Sequence, residues 1–372
     1  MKVIIFDPVS TGKSHYTFNN SMIKIITEAN SVSSVSILLS QTHSFKLHSS
    51  ETSESTKIKN IYGINNSKIN KNRFHFLVCS VIAYLHLIRK IIKYNPKSLF
   101  ILAADNLYSP FFLLIIKFIF NINTYVFLHN NLESVKNSNF KKKLLIKILN
   151  KGVKGICLSK FVMRNAKQLL NNNSNLLYFP HPSYSHILRG ILGERNKFEN
   201  DFLLLGRHSV FFTENNFHKK LFSICDDLDN QKTIVISIRK DCLSKKQRKN
   251  IQITEYDFPM KDDEYWRLLL KSKFLIIPPQ SASRITASGV HIDAISAGVP
   301  VIAPDSGTFA ENIPNLGKVL LYNKDNLKEV FRRALLMTKS DYKNLSIEVE
   351  NTSELLSLNR SISIFNEMFF IK

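Results

Sequence analysis

The chain has 372 residues, 44% of them apolar and 22% charged, which is room for two packed domains and excludes a disordered chain. Its four cysteines, Cys79, Cys157, Cys225 and Cys242, stand far apart with no C-x-x-C pair, so they argue against a zinc site or a disulfide framework and suit a reducing compartment. The net charge of +22 is uneven: residues 1–198 carry 27 Lys+Arg against 7 Asp+Glu and residues 199–372 carry 24 against 22, so the first half calls for an anionic partner.

The elements follow one another as β-α alternation. Lys2–Phe6 reads as a strand, Tyr16–Glu28 as a helix and Val35–Leu39 as a strand. Residues 41–72 are rich in Ser, Thr, Asn and Lys and read mostly as loop. Phe74–Lys93 has helical spacing. Then come strand Leu99–Ala103, helix Phe111–Phe120, strand Thr124–Leu128, helix Phe140–Leu149, strand Gly155–Leu158, helix Phe161–Leu170 and strand Leu176–Phe179. Residues 180–199 mix Pro, Gly and charge like a connection between domains, with 183–199 as the linker. The rhythm restarts with strand Phe202–Leu205, helix Phe217–Asp226, strand Thr233–Ile238, helix Glu264–Lys271, strand Phe274–Ile277, helix Gly289–Ala297, strand Val299–Ala303 and helix Asn326–Met337. Ser353–Phe370 reads as one long helix that packs back on the first domain. The alternation predicts an α/β protein with parallel sheets covered by helices.

The most apolar run, Phe111–Phe120, is ten residues long and carries Lys117, too short for a membrane span, which needs about 20 residues. The N-terminal apolar run is broken by Asp7 and Pro8, so no secretory signal is read and a cytoplasmic protein is expected.

The densest chemical pattern is RITASGVHIDAISAGVPVIAPDSGTFAE, Arg284 to Glu311. A buried strand ends near Ile277, a loop of small polar residues follows, and a helix opens at Ser288-Gly289. Free N–H groups at a helix start attract anions. Gly289 permits close approach of a ligand, and Arg284 is suited to a bidentate phosphate contact. Asp293 lies one turn in, on roughly the face of Gly289, where a carboxylate accepts hydrogen bonds from ribose hydroxyls. Gly307 and Thr308 form a turn and Glu311 follows near the carboxyl end of the next strand, the usual ligand side of such sheets.

DAISAGVPVIAPDSGTFAE resembles the donor-site signature of GT-B glycosyltransferases, especially the family-4-like group of capsule, lipopolysaccharide and O-antigen assembly. The resemblance implies two Rossmann-like domains facing a central cleft. Residues 1–182 would then bind the acceptor, residues 200–350 the nucleotide sugar, and 351–372 would return to the first domain. It implies that Asp293 holds the ribose and that Glu311 lies near the donor. Gly206-Arg207 looks like the family's Gly-Arg, whose Arg contacts the donor diphosphate. The family's usual first Glu is absent: Ile285 and Thr286 stand in its region.

A catalytic base is expected in the first domain. His129 ends the strand TYVFLH, Asp105 follows the strand FILAA, and His15 follows the first loop, so all three are candidates. That first loop, DPVSTGKS, is one residue short of a phosphate-binding loop, because Asp7 replaces its first Gly. A phosphate-loop NTPase or kinase using Gly12, Lys13 and Ser14 is the enzymatic alternative; otherwise Gly12 allows close approach of donor or acceptor. A non-catalytic, glycosyltransferase-like binding subunit is the other alternative. No carboxylate cluster points to a metal and no cofactor is expected beyond the nucleotide-sugar substrate, whose base is left open.

Phe140–Lys154 carries six lysines among Leu and Ile, and Leu87–Lys97 repeats the theme with Arg89, Lys90, Lys93 and Lys97. Basic amphipathic helices bind anionic membrane surfaces. No nucleic-acid reader motif accompanies the charge. The reading is therefore a cytoplasmic enzyme, peripheral on the inner face of the cell membrane, that transfers sugar to a glycan or lipid-diphosphate-linked acceptor.

Overall fold

The computed structural model describes residues 1–8, 10, 15–48, 54–64, 73–104, 108–128, 131–188, 198–205, 217–227, 233–239, 251–257, 260–279 and 287–370. The chain divides into two units. One is Met1–Pro182 with the chain from Leu358 onward. The other is Ser183–Ser357 apart from residues 285–287.

The first unit holds strands β1 (Lys2–Phe6), β2 (Ser34–Ser40), β3 (Ile58–Ile64), β4 (Ser98–Ile101), β5 (Asn123–Phe127), β6 (Lys154–Cys157) and β7 (Leu176–Tyr178). Its helices are α1 (Tyr16–Glu28), α2 (Gln41–His48), α3 (Arg73–Tyr94), α4 (Tyr108–Ile119), α5 (Asn131–Lys136), α6 (Asn139–Asn150) and α7 (Lys160–Leu169). The strands form one sheet in the order β3-β2-β1-β4-β5-β6-β7, and each neighbouring pair runs parallel. Val3, Ile4, Ile5 and Phe6 are fully buried, as expected of a central parallel strand covered on both faces.

The second unit begins with α8 (Ser185–Leu188) and β8 (Asn200–Leu204), followed by α9 (Phe217–Asp227), β9 (Ile234–Arg239), β10 (Ile251–Tyr256), α10 (Asp262–Leu270) and β11 (Ser272–Ile276). Next come α11 (Gly289–Ser296), β12 (Val301–Pro304), α12 (Gly307–Ala310), a 3-10 turn at Asn315–Leu320, β13 (Leu321–Tyr322), α13 (Leu327–Leu336) and α14 (Lys339–Leu355). The sheet order is β10-β9-β8-β11-β12-β13, again parallel. Each unit has its own core. One gathers Tyr84, Leu87, Leu113, Ile148 and Val162, the other Phe202, Phe217, Phe274 and Phe331.

Three parts of the sequence expectation change. Residues 41–64 contain α2 and β3, where loop was expected, and β10 was not anticipated. Both strands lie at the edge of their sheets, and β3 has Ile64 as its only buried residue. An edge strand is held largely by backbone hydrogen bonds to one neighbour, which leave little trace in side-chain pattern. The third change is at residues 339–370: α14 occupies Lys339–Leu355, mostly where no element was expected, and the predicted helix Ser353–Phe370 is broken, its first three residues ending α14 while α15 runs Leu358–Phe370. Ser183 explains the break, since its N–H donates to Leu356 O (2.7 Å) and its hydroxyl to Ser353 O (2.9 Å). Carbonyls at the end of α14 are thus satisfied from outside, and the helix stops there.

Candidate functional site

In both sheets the chain moves from the first strand to one side and then returns to build the other. The strand order reverses between β1 and β4 in the first unit and between β8 and β11 in the second. Ligands of doubly wound sheets bind outside the carboxyl ends of the strands at such a point.

In the second unit β11 pairs with β8 through Phe274↔Phe202 and Ile276↔Leu204, and with β12 through Leu275↔Val301. Beyond its carboxyl end, α11 opens where the spacing placed it. Ser288 is the N-cap, in extended backbone, and its hydroxyl accepts from His291 N (3.4 Å). Gly289 is exposed, and a Cβ built there meets nothing within 4 Å. Glycine therefore relieves no crowding inside the protein; it leaves room at the helix start. Gly298 closes α11 at φ 68, with Gly298 N–H on Ile295 O (3.0 Å) and Val299 N–H on Ala294 O (2.9 Å). This double bond pattern is the left-handed helix cap that glycine favours.

Asp293 is partly exposed, but its carboxyl is already engaged: the Tyr265 hydroxyl of α10 donates to Asp293 Oδ2 at 2.5 Å. Burial pushes the Asp293 carboxyl up to about 7, while the Tyr265 bond pulls the other way. Burial and the Asp293 charge push the hydroxyls of Tyr265 and Tyr184 well above the usual tyrosine range. Sequence spacing gave no sign of Tyr265, which lies in another helix. Gly307 opens α12 after β12, and Glu311 follows as a half-buried residue with helical backbone. The rings of His291 and Phe309 sit 5.6 Å apart, so α11 and α12 touch. Thr308 lies within α12, though its side chain, like Arg207, Arg284 and Gly206 entirely, is outside the described residues.

In the first unit, His129, Asp105 and Gly12 also lie outside the described residues, with Lys13 and Ser14. His15 precedes α1 at φ 59, a left-handed backbone that is uncommon for a residue with a side chain. His181, after β7, is buried. Its Nδ1 faces Pro182 O at 3.1 Å, its ring lies 5.2 Å from that of Phe18, and burial lowers its pKa to about 4. The ring is therefore neutral at pH 7, with Nδ1 as donor to the carbonyl.

Asp7 is buried at the end of β1. Its carboxylate accepts from Ser10 N (2.9 Å) and from Asn19 Nδ2, which also faces His43 Nδ1 at 3.4 Å. In a phosphate-binding loop this position is glycine and nearby N–H groups face the phosphates. Here the Ser10 N–H is occupied by an acid, which repels phosphate. Asp7→Ala is expected to leave Asn19 and Ser10 poorly satisfied and to cost about 2 kcal/mol, measurable by denaturant titration.

Solved structures resemble the whole chain. The Anabaena protein HepE in complex with UDP is 11% identical with a TM-score of 0.63, covering 99% of each chain. The UDP-forming trehalose-phosphate synthase of Burkholderia xenovorans is 9% identical with a TM-score of 0.64, covering 98% of each. Sucrose-phosphate synthase of Thermosynechococcus elongatus is 14% identical with a TM-score of 0.60, covering 99% of this chain and 98% of its own. The chain has the GT-B fold. No protein-family profile and no curated protein matches the sequence. The two GT-B units account for the paired parallel sheets, each with the same order of its first six strands.

Proposed function

We propose that this chain is a glycosyltransferase, family-4-like, that moves a sugar from a nucleotide diphosphate donor to a glycan or lipid-diphosphate-linked acceptor in surface-polysaccharide assembly. The observation that carries the reading is the start of α11. A capped helix N-terminus with an open glycine stands beyond β11, at the strand-order reversal. Such a start offers N–H groups and a positive dipole end to a diphosphate. Support comes from GT-B structures solved with UDP, UDP-glucose and UDP-2-fluoro glucose.

In this reading Ser288, Gly289, Arg207 and Arg284 hold the diphosphate and stabilise it as a leaving group. Asp293 takes the ribose, and Gly307, Thr308 and Glu311 complete the donor pocket. The proton of the acceptor hydroxyl goes to a base among His129, Asp105 and His15, with Gly12 giving room beside it. The enzyme works in the cytoplasm, on the inner face of an anionic membrane, and uses no metal.

A thermal-shift screen against UDP, GDP, CMP and dTDP sugars is the test. At a ligand concentration 100-fold above Kd, binding adds about 2.7 kcal/mol to stability. One nucleotide sugar is expected to stabilise the protein, and slow hydrolysis of that donor is expected without acceptor. Silence toward the three diphosphate classes overturns the reading, as does a response to the monophosphate CMP sugars alone. Lys13→Ala is expected to leave the donor shift intact.

A further inference from the structure

Helix α3, RFHFLVCSVIAYLHLIRKIIKY, is 22 residues long, or about 33 Å at 1.5 Å per residue. It is apolar on two opposite sides, with His75, His86, Lys90 and Lys93 between them, which suits a helix meeting an apolar phase on both sides. On one side Ala83, Tyr84, Leu87 and Ile91 pack into the core of the first unit. On the opposite side Phe74, Val78, Ile82, Leu85 and Ile92 are exposed. Their spacing of three, four and seven residues puts them in one stripe, in which Arg89 is the only charge. His86 and Lys93, also exposed, form its polar border.

The stripe has neighbours. Helix α4 packs against α3 and exposes Phe111, Ile119 and Phe118, the last 93% exposed. Helix α6 packs against α4 and exposes Phe140, Lys143 and Lys147. Exposed large apolar side chains gathered on three helices that pack in succession mark an interaction surface. Its charge indicates the occupant. Residues 73–154 carry 13 Lys+Arg and only Asp105 and Glu133 as acids.

We propose that the outer face of α3 and α4 is a bilayer-insertion surface: α3 lies in the plane of an anionic membrane, with its stripe and the α4 phenylalanines in the boundary between headgroups and acyl chains. This deepens the membrane part of the proposed function and rests on it, and it moves the docking surface from the lysine-rich segments of α6 and the end of α3 to the apolar stripe of α3. By length and composition α3 is a candidate span, but its inner side belongs to the core, so it lies in the surface and does not cross. Arg89, Lys93, Lys143 and Lys147 meet the anionic headgroups while their stems follow the apolar stripe. A second copy of the same face would bring these cations against one another, which disfavours a dimer there.

The test uses the full chain and vesicles of phosphatidylcholine alone or mixed with phosphatidylglycerol. Wild type is expected to co-sediment with the anionic vesicles and to keep part of that binding in high salt. The exposed-site variant Ile82→Gln/Leu85→Gln/Phe118→Ser is expected to lose about tenfold or more in partitioning at both salt levels. Lys143→Gln/Lys147→Gln is expected to lose only the salt-sensitive part. In Leu85→Trp, brominated acyl chains are expected to quench the new indole, whereas Trp266, the only natural tryptophan, is buried in the second unit and is not quenched.

Unchanged partitioning of the apolar variant, or an unquenched Trp at 85 in a protein that still binds, overturns the inference and leaves membrane docking to α6. Failure of wild type to bind either vesicle overturns both. A concentration-dependent dimer that the apolar variant abolishes reassigns the face to a second copy. The donor thermal shift of each variant reports the sugar-transfer reading separately.

Discussion

Asp293→Asn is expected to make the protein more stable at pH 8 and poorer at holding a nucleotide sugar. The carboxyl titrates at about 7, above its ordinary 3.8, because burial disfavours the charge. Between these values the unfolded chain has released the proton and the folded chain keeps it. Stability contributed by this group is therefore full at low pH and is lost as pH rises from about 4 through 7. Asparagine keeps an acceptor for the Tyr265 hydroxyl and carries no charge, so this slope disappears. After allowance for partial exposure, the gain above pH 8 is about 2 kcal/mol.

Donor binding runs the other way. A carboxylate accepts two ribose hydroxyls better than a neutral acid does, so affinity in wild type is expected to rise through pH 7. Tyr265→Phe removes the bond that lowers the carboxyl pKa, which should shift that profile to higher pH. Asp293→Asn should flatten it and weaken donor binding about tenfold or more, the cost of losing charge-assisted hydrogen bonds. Calorimetric titration with the donor found by the screen, from pH 5.5 to 8.5, measures both. A donor affinity that ignores pH and the Asn variant would remove Asp293 from the site.

The second large effect belongs to the last helix. Phe365→Ala is expected to destabilise the first unit by about 3–5 kcal/mol, as for other large core aromatics. Phe365 is fully buried, with ring centroids 5.3 Å from Phe100, 6.1 Å from Phe179 and 4.5 Å from Phe369. Phe369 in turn meets Tyr125 at 4.8 Å, and Asn366 accepts the Asn30 N–H at 3.0 Å. The last helix thus completes an aromatic cluster with Phe100 of β4 and Tyr125 of β5. Trp266 lies in the second unit, so its fluorescence follows that unit while circular dichroism follows both. In urea, the dichroism transition of the variant should begin earlier and the fluorescence transition should stay in place. Movement of the fluorescence transition alone would tie the helix energetically to the second unit.

Much of this protein is local in its coding. The buried runs VIIF, FLL and FLII announce central strands, since a short unbroken apolar run suits a strand covered on both faces. Ser288-Gly289 announces a helix start, and Gly298 its end, because caps are made by residues within one turn of each other. The α/β class and the position of α11 after its strand follow from such signals. Edge strands β3 and β10 do not, as their pairing is a backbone matter. The Tyr265–Asp293 bond joins residues 28 positions apart on different helices, and no spacing encodes that meeting. The break at Leu356 depends on Ser183, more than 150 residues away. Helix α3 shows the limit most clearly. Its sequence is apolar on two opposite sides, and only its packing in the first unit separates the buried residues Tyr84 and Leu87 from Ile82 and Leu85, which are left for another apolar phase.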